Sequence, residues 1–140
     1  MTEGPPSKPG GSRFPREARI TRSDEIRALF RRGKRRKTIS FDVFVSASPA
    51  ARSRVGFVVP KPRRRRGEAK SRIRGAAVRR NRLKRRLKEI ARIDLLPVLP
   101  VGPTSLDVLV RARPEAYDAS FEEMRAELLE VRESLCSRRS

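Results

Sequence analysis

Histidine is missing from all 140 residues, and cysteine occurs once, at Cys136. The first absence removes the commonest general base and metal ligand; a single thiol makes neither an internal disulfide nor a thiolate zinc cluster. Histidine-dependent hydrolysis and zinc-finger readings are therefore excluded. Acid is scarce as well: 16 Asp and Glu stand against 36 Lys and Arg, a formal net charge of +20. Outside the last predicted helix the carboxylates are scattered, from Glu17, Asp24 and Glu25 to Asp94, Asp107 and Glu115, with no pair at metal-binding spacing and no Walker-type glycine loop. No catalytic residue and no metal site is expected on this chain. Nor does any run approach the roughly 18 apolar residues that span a membrane. The stretch from Met1 to Gly11 lacks the apolar segment of a signal peptide, so the expectation is a cytoplasmic protein without a membrane partner.

What the chain has is positive charge gathered in one place. Between Lys61 and Arg92 lie 16 basic and two acidic residues, a local balance of +14 that supplies most of the total. Within it, residues 75–93 hold no proline and no glycine after Gly75, which suits a helix. Ala76, Leu83, Leu87, Ile90 and Ala91 recur on one side at helical spacing, while Asn81, Arg82, Arg85, Lys88 and Arg92 point the other way. Glu89 is the only acid in that segment, so the cations lack the i,i+4 partners of an ordinary surface helix. A polyanion completes such a face, and nucleic acid is the commonest polyanion. The run Arg63 to Arg66 can be read as a solvated loop or as part of the same contact surface; the basic helix directly after it favours contact.

The length suits one domain with its own core. Residues 1–12, rich in Gly, Pro and Ser, read as a disordered tail. Thr21 or Ser23 can cap a helix running to Arg32, with Ile26, Leu29 and Phe30 as its apolar face and Gly33 as its stop. From Thr38 to Ala47 apolar residues alternate, Ile39, Phe41, Val43 and Val45 on one side, which predicts a strand. Phe44 breaks the pattern on the polar side. Either a helix or loop covers it, or it is an aromatic platform for a nucleic-acid base. Residues 54–59 predict a second strand, central by its apolarity. Pro97, Pro100 and Pro103 with Gly102 mark a connection, and Leu106 to Ala112 predicts a third strand parallel to the second. Ser120-Phe121-Glu122-Glu123 is a capping box that opens a last helix. Phe121, Met124, Leu128, Val131 and Leu135 form its core stripe, and Glu122, Glu127, Glu130 and Glu133 its other face. Acids repel nucleic acid, so this helix is expected on the side away from the partner. Residues 136–140 read as a tail.

The segment Gly75-Ala76-Ala77-Val78-Arg79-Arg80-Asn81-Arg82-Leu83-Lys84-Arg85 resembles the signature of the protein subunit of bacterial ribonuclease P. The likeness covers residues 13–135 in order. It takes in Arg19 to Ser23, Phe30 to Gly33, Arg54 to Lys61 and Asp107 to Pro114. It implies a single α+β domain of type α-β-β-β-α-β-α, a two-layer sandwich with a left-handed βαβ crossover, in which the basic loop 62–74 is an insertion. Of four implied strands three are legible; a break in the long first one would supply another. The resemblance further implies that an RNA subunit cleaves the 5′ leader from precursor tRNA with magnesium bound mainly through the RNA. Arg80, Asn81, Arg82, Lys84, Arg85 and Lys88 would face that RNA. A cleft lined by Ile26, Phe30, Phe44, Lys61 and Arg113 would hold the leader. Ala76 stands where the motif usually has asparagine, and Ile26 where the cleft is usually aromatic. The rival readings are a ribosome-type structural RNA-binding protein and, more distantly, a DNA-binding helix.

Overall fold

A computed structural model describes residues 16–50, 52–62, 73–100 and 102–137. The expected tail at 1–12 and most of the basic loop lie outside the described residues. Helix α1 (Ser23–Arg32) is followed by strands β1 (Lys34–Lys37), β2 (Phe41–Ala47) and β3 (Arg54–Val58), helix α2 (Ile73–Ile90), strand β4 (Leu106–Ala112) and helix α3 (Phe121–Ser137). The order is the α-β-β-β-α-β-α expected. In the sheet the strands run β1-β2-β4-β3, with β2 antiparallel to β1 and β4, and β3 parallel to β4. Helix α2 makes the crossover that a parallel pair requires. Among the described residues no helix is long and apolar enough to cross a membrane.

Alternation sorts each strand onto two faces. Phe41, Val43, Val55, Val108 and Val110 point to one, where they form the main core with Leu83, Leu87 and Ile90 of α2 and Met124, Leu128, Val131 and Leu135 of α3. Phe44 and Leu109 point to the other, where Ile20, Ile26, Leu29 and Phe30 cover them. One short helix therefore faces two long ones across the sheet. Gly56 permits this closeness: a Cβ there would stand 2.9 Å from the Cβ of Ile20. At the end of α1, a Cβ on Gly33 would lie 2.6 Å from the Leu29 carbonyl oxygen, so the helix stops at the one residue that tolerates that approach.

The fourth strand is not a fragment of the long one. It precedes it, in the basic stretch Lys34–Lys37, and a tight turn at Thr38–Phe41 joins the two. Thr38 closes that turn by accepting a hydrogen bond from the Phe41 N–H at 3.0 Å. Ile39, expected on the inward face, sits in the turn and is 76% exposed. The α1 cap also differs: Arg22 occupies the N-cap position, without a side-chain hydrogen bond. After Ile90 the α-helix widens into a π turn, Ala91–Leu95, which buries Asp94. Arg125 of α3 donates two hydrogen bonds to the Asp94 carboxylate, at 2.8 and 3.2 Å.

Helix α3 opens on the predicted capping box: the Ser120 N–H donates to Glu123 and the Glu123 N–H donates to Ser120 Oγ, at 2.8 and 3.0 Å. It lies beside α2 on the same sheet face rather than on a separate side. Its acids do not all face outward, because Glu127 accepts hydrogen bonds from the Ser40 N–H and hydroxyl, at 2.8 and 2.9 Å, and so holds the β1–β2 turn. Ser137 extends the helix into the stretch expected to be tail.

Candidate nucleic-acid interface

Three consecutive residues on a helix cannot face one surface, because each step turns the chain by about 100°. Arg80, Asn81 and Arg82 accordingly fan across roughly 200° of α2. With Leu83 and Leu87 buried against the sheet, Arg80 turns inward and is half-buried. Its Nε donates to the Val59 carbonyl at 2.7 Å, satisfying the backbone where β3 ends. Asn81, Arg85 and Lys88, one helical turn apart, make the exposed outer face. Lys84 stands at its rim, where burial first, and then the charges of Arg80 and Lys88, lower its pKa below the usual lysine value. A lysine that holds its proton less tightly in a cationic cluster is one that an anion would restore. Glu89, the acid of this stretch, is taken up by Arg92 at 2.8 Å.

Arg82 belongs to the other flank. With Arg79 and Arg86 it borders a small pocket whose remaining wall is Leu83, Ala116 and Tyr117. Ala116 and Tyr117 come from the 3-10 turn Pro114–Asp118 between β4 and α3. Tyr117 donates its hydroxyl to the Pro60 carbonyl, and the Arg79 guanidinium lies 5.2 Å from its ring centroid. Burial raises the tyrosine's pKa against the opposing pull of Arg80 and Arg79.

Across the sheet, Ile26, Phe30 and Phe44 of the predicted cleft gather around α1. Phe30 meets Phe44 edge-on with centroids 4.9 Å apart. Phe44 is only 7% exposed: a helix does cover it, and its ring faces are spent on packing. Ile26 packs in the same cluster. Arg111 was missed by sequence reasoning. Its guanidinium lies 5.6 Å from the Phe30 centroid, and it is exposed in a strand otherwise mostly buried; that odd charge on an apolar strand was the available signal. The register pairs Arg111 with Asp42 on one side and Val58 on the other. Because β3 and β4 are parallel, Lys61 and Arg113 leave the sheet from one end. Lys61 is exposed, and Arg113 is partly held by Glu115 at 3.7 Å.

Three ion pairs stiffen this side. Arg54 reaches Asp107 at 2.7 Å and Glu25 of α1 at 3.1 Å, and the hydrogen bond to Asp107 leads the causes that raise the arginine's pKa. Asp42 accepts from Arg35 of β1 at 3.0 Å. Among the described residues no group of three or more His, Cys, Asp or Glu could hold a metal ion.

A family model described as Ribonuclease P matches residues 14–136. A curated relative, the ribonuclease P protein component of Acidothermus cellulolyticus, is 36% identical over 116 residues, covering 81% of this chain and 84% of its own. The corresponding protein of Desulfovibrio desulfuricans is 37% identical over 120 residues, covering 83% and 81%. Among solved structures, the RNase P protein of Thermotoga maritima aligns with a TM-score of 0.59 at 28% identity, covering 81% of this chain and 94% of that one. That of Staphylococcus aureus aligns with a TM-score of 0.63 at 20% identity, covering 85% and 94%.

Proposed function

The chain belongs to the ribonuclease P protein family, whose members are protein components of an endoribonuclease and support tRNA processing, and from that premise we propose that it binds two RNAs on two separate surfaces. Helix α2 binds the catalytic RNA subunit through the outer face of Asn81, Lys84, Arg85 and Lys88, with Arg82 on the adjoining flank and Arg80 as the residue that orients the helix on β3. The groove between α1 and the sheet holds the single-stranded 5′ leader of precursor tRNA. The observation that supports this reading is placement: the cationic helix packs on one face of the sheet and the Ile26–Phe30–Phe44 cluster on the other, so two strands can be held at once without crossing.

The chemistry then follows from charge and position. Lys and Arg side chains screen phosphate repulsion between the catalytic RNA and its substrate, and their binding releases counterions, so affinity falls steeply with salt. Because Phe44 is packed under α1, contact with the leader falls to the groups around it: the exposed Lys61 and Arg111, the partly exposed Arg113, and the edge of Phe30. Magnesium, bound mainly through the RNA subunit, supplies the hydrolytic chemistry. Among the described residues no group of three or more His, Cys, Asp or Glu is gathered to hold it. The setting is the cytoplasm, with neither DNA nor membrane as partner.

The test is to isolate the RNA that copurifies with the full chain and to measure cleavage of precursor tRNA at low magnesium. A single structured RNA that gains leader-removing activity on adding the protein is the expected result. Copurifying ribosomal RNA or duplex DNA, with no gain in cleavage, would overturn the reading in favour of a ribosome-type or DNA-binding role.

A further inference from the structure

The outer face of α2 and the pocket flank are different surfaces. At about 100° per residue, Arg79, Arg82 and Arg86 form a row along the helix one side round from Asn81, Arg85 and Lys88. The two rows also differ in kind. The outer row stands open, whereas the flank row is backed by a wall, the Ala116–Tyr117 turn. That wall is fixed at both ends: the Tyr117 hydroxyl is bound to the Pro60 carbonyl, and Ala116 is buried. Arg79 is partly engaged, with its guanidinium over the Tyr117 ring and 3.9 Å from the exposed Asp118. Arg82 and Arg86, by contrast, have no hydrogen bond or ion pair among the described residues. Two unengaged guanidinium groups one turn apart thus line a walled recess, with Arg79 completing a row of three. Planar donors held this way match phosphate oxygens, which Arg takes up through paired N–H groups.

We propose that the recess between α2 and the Pro114–Asp118 turn is a second phosphate-backbone site, which takes an RNA segment distinct from the one on the outer face. Arg82 and Arg86 contact the phosphates, and Arg79, stacked on Tyr117, sets the rim. The proposal rests on the reading of the chain as an RNA-binding component. Its consequence is that α2 sits wedged between two RNA segments instead of lying on one. This suits a helix whose cations fan around most of its circumference, and it turns a general electrostatic attraction into a fixed orientation, because two strands on two flanks determine how the helix is rotated.

The experiment is hydroxyl-radical footprinting of the copurified RNA bound to the full-length protein, with two double variants, Arg82→Gln/Arg86→Gln and Arg85→Gln/Lys88→Gln. Each is expected to open protections at a different RNA segment, and the first to reduce the slope of log affinity against log salt by about two. Loss of the same nucleotides in both variants, or an unchanged footprint in the first, would overturn the second site while leaving the main reading intact. An unchanged footprint in both variants would remove the main reading too. All four side chains are at least partly exposed, and unchanged thermal unfolding of each variant confirms that the fold is retained. A parallel titration with inorganic phosphate, followed by arginine Nε chemical shifts, separates the two sources of the ligand. Saturable shifts at Arg82 and Arg86 without an RNA footprint there would make the recess a free-phosphate site, against the proposal.

Discussion

The two faces of the sheet are built on opposite principles. Under α2 and α3 the contacts are hydrocarbon: Phe41, Val43, Val55, Leu87, Leu109's neighbours Val108 and Val110, and Met124 all have at most 1% of their surface exposed. Under α1 the same strands carry Asp42, Arg54, Asp107 and Arg111 around a small apolar cluster, and α1 is tied down by the Glu25–Arg54–Asp107 ion pairs as much as by packing. Burial of apolar area stabilises without regard to direction, whereas paired charges stabilise less and fix geometry more. The difference teaches that one face holds the fold together while the other sets charged side chains in fixed places around a short helix.

That contrast can be broken or sharpened by substitution. The largest effect is expected on the hydrocarbon face: Leu87→Ala should cost about 2 to 5 kcal/mol of stability, read from denaturant unfolding, and a loss no larger than that of a surface variant would show that the α2 core is not the anchor. On the polar face, Asp107→Ala leaves the partly buried Arg54 with Glu25 as its remaining partner and should cost about 1 to 3 kcal/mol. Hydrogen exchange should then rise in α1 well before the α2 core. Arg85→Gln with Lys88→Gln should change stability by less than about 0.5 kcal/mol yet weaken affinity for the catalytic RNA and flatten its salt dependence, since the side chains hold nothing inside the fold. Arg111→Ala should remove a contact with Phe30 worth about 0.5 to 1 kcal/mol and weaken binding of leader-bearing precursor while sparing the RNA subunit; equal losses on both ligands would merge the two surfaces into one.

The smallest effect is a pH dependence. In the free protein the Lys84 pKa is lowered, mainly by burial and then by Arg80 and Lys88. A depressed lysine pKa means the folded state binds that proton less tightly than the unfolded one, so this contribution opposes folding at neutral pH and is relieved as pH rises through the lowered value toward 10.5. Phosphate contact pulls the other way and favours the proton. RNA affinity is therefore expected to fall as pH rises through the alkaline range below 10.5, and Lys84→Arg should abolish that part of the dependence.

Much of this was legible in the sequence. The helical period of Leu83, Leu87 and Ile90, the Ser120–Glu123 box and the apolar β3 and β4 announce themselves, because burial on one side imposes a period. Strand β1 does not: among the described residues Lys34–Lys37 is an edge strand paired to β2, and its four cations carry no apolar alternation. Ile39 misled for the related reason that alternation continues through a turn as readily as through a strand. The dual nature of the Arg80–Arg82 motif was equally hidden. Composition marks both of its arginines alike as cations for a polyanion, but only the neighbouring end of β3 shows that Arg80 is occupied by the Val59 carbonyl. Phe44 stood out correctly as an anomaly, and the third dimension supplied the reason, a helix lying across it.

The strand order has a consequence for how the chain comes to exist. β4, which completes the sheet between β2 and β3, is the last strand to be synthesised. Until it emerges, β2 and β3 have no common partner, and the earlier residues can form the β1–β2 hairpin and helices but no closed core. Pairings of this sequence separation are slow to find, and a growing chain in that state leaves apolar strand edges open. Like charges repel, so the dense cations carried ahead of β4, the proposed RNA face of the finished molecule, also work against association of nascent copies until the central strand arrives.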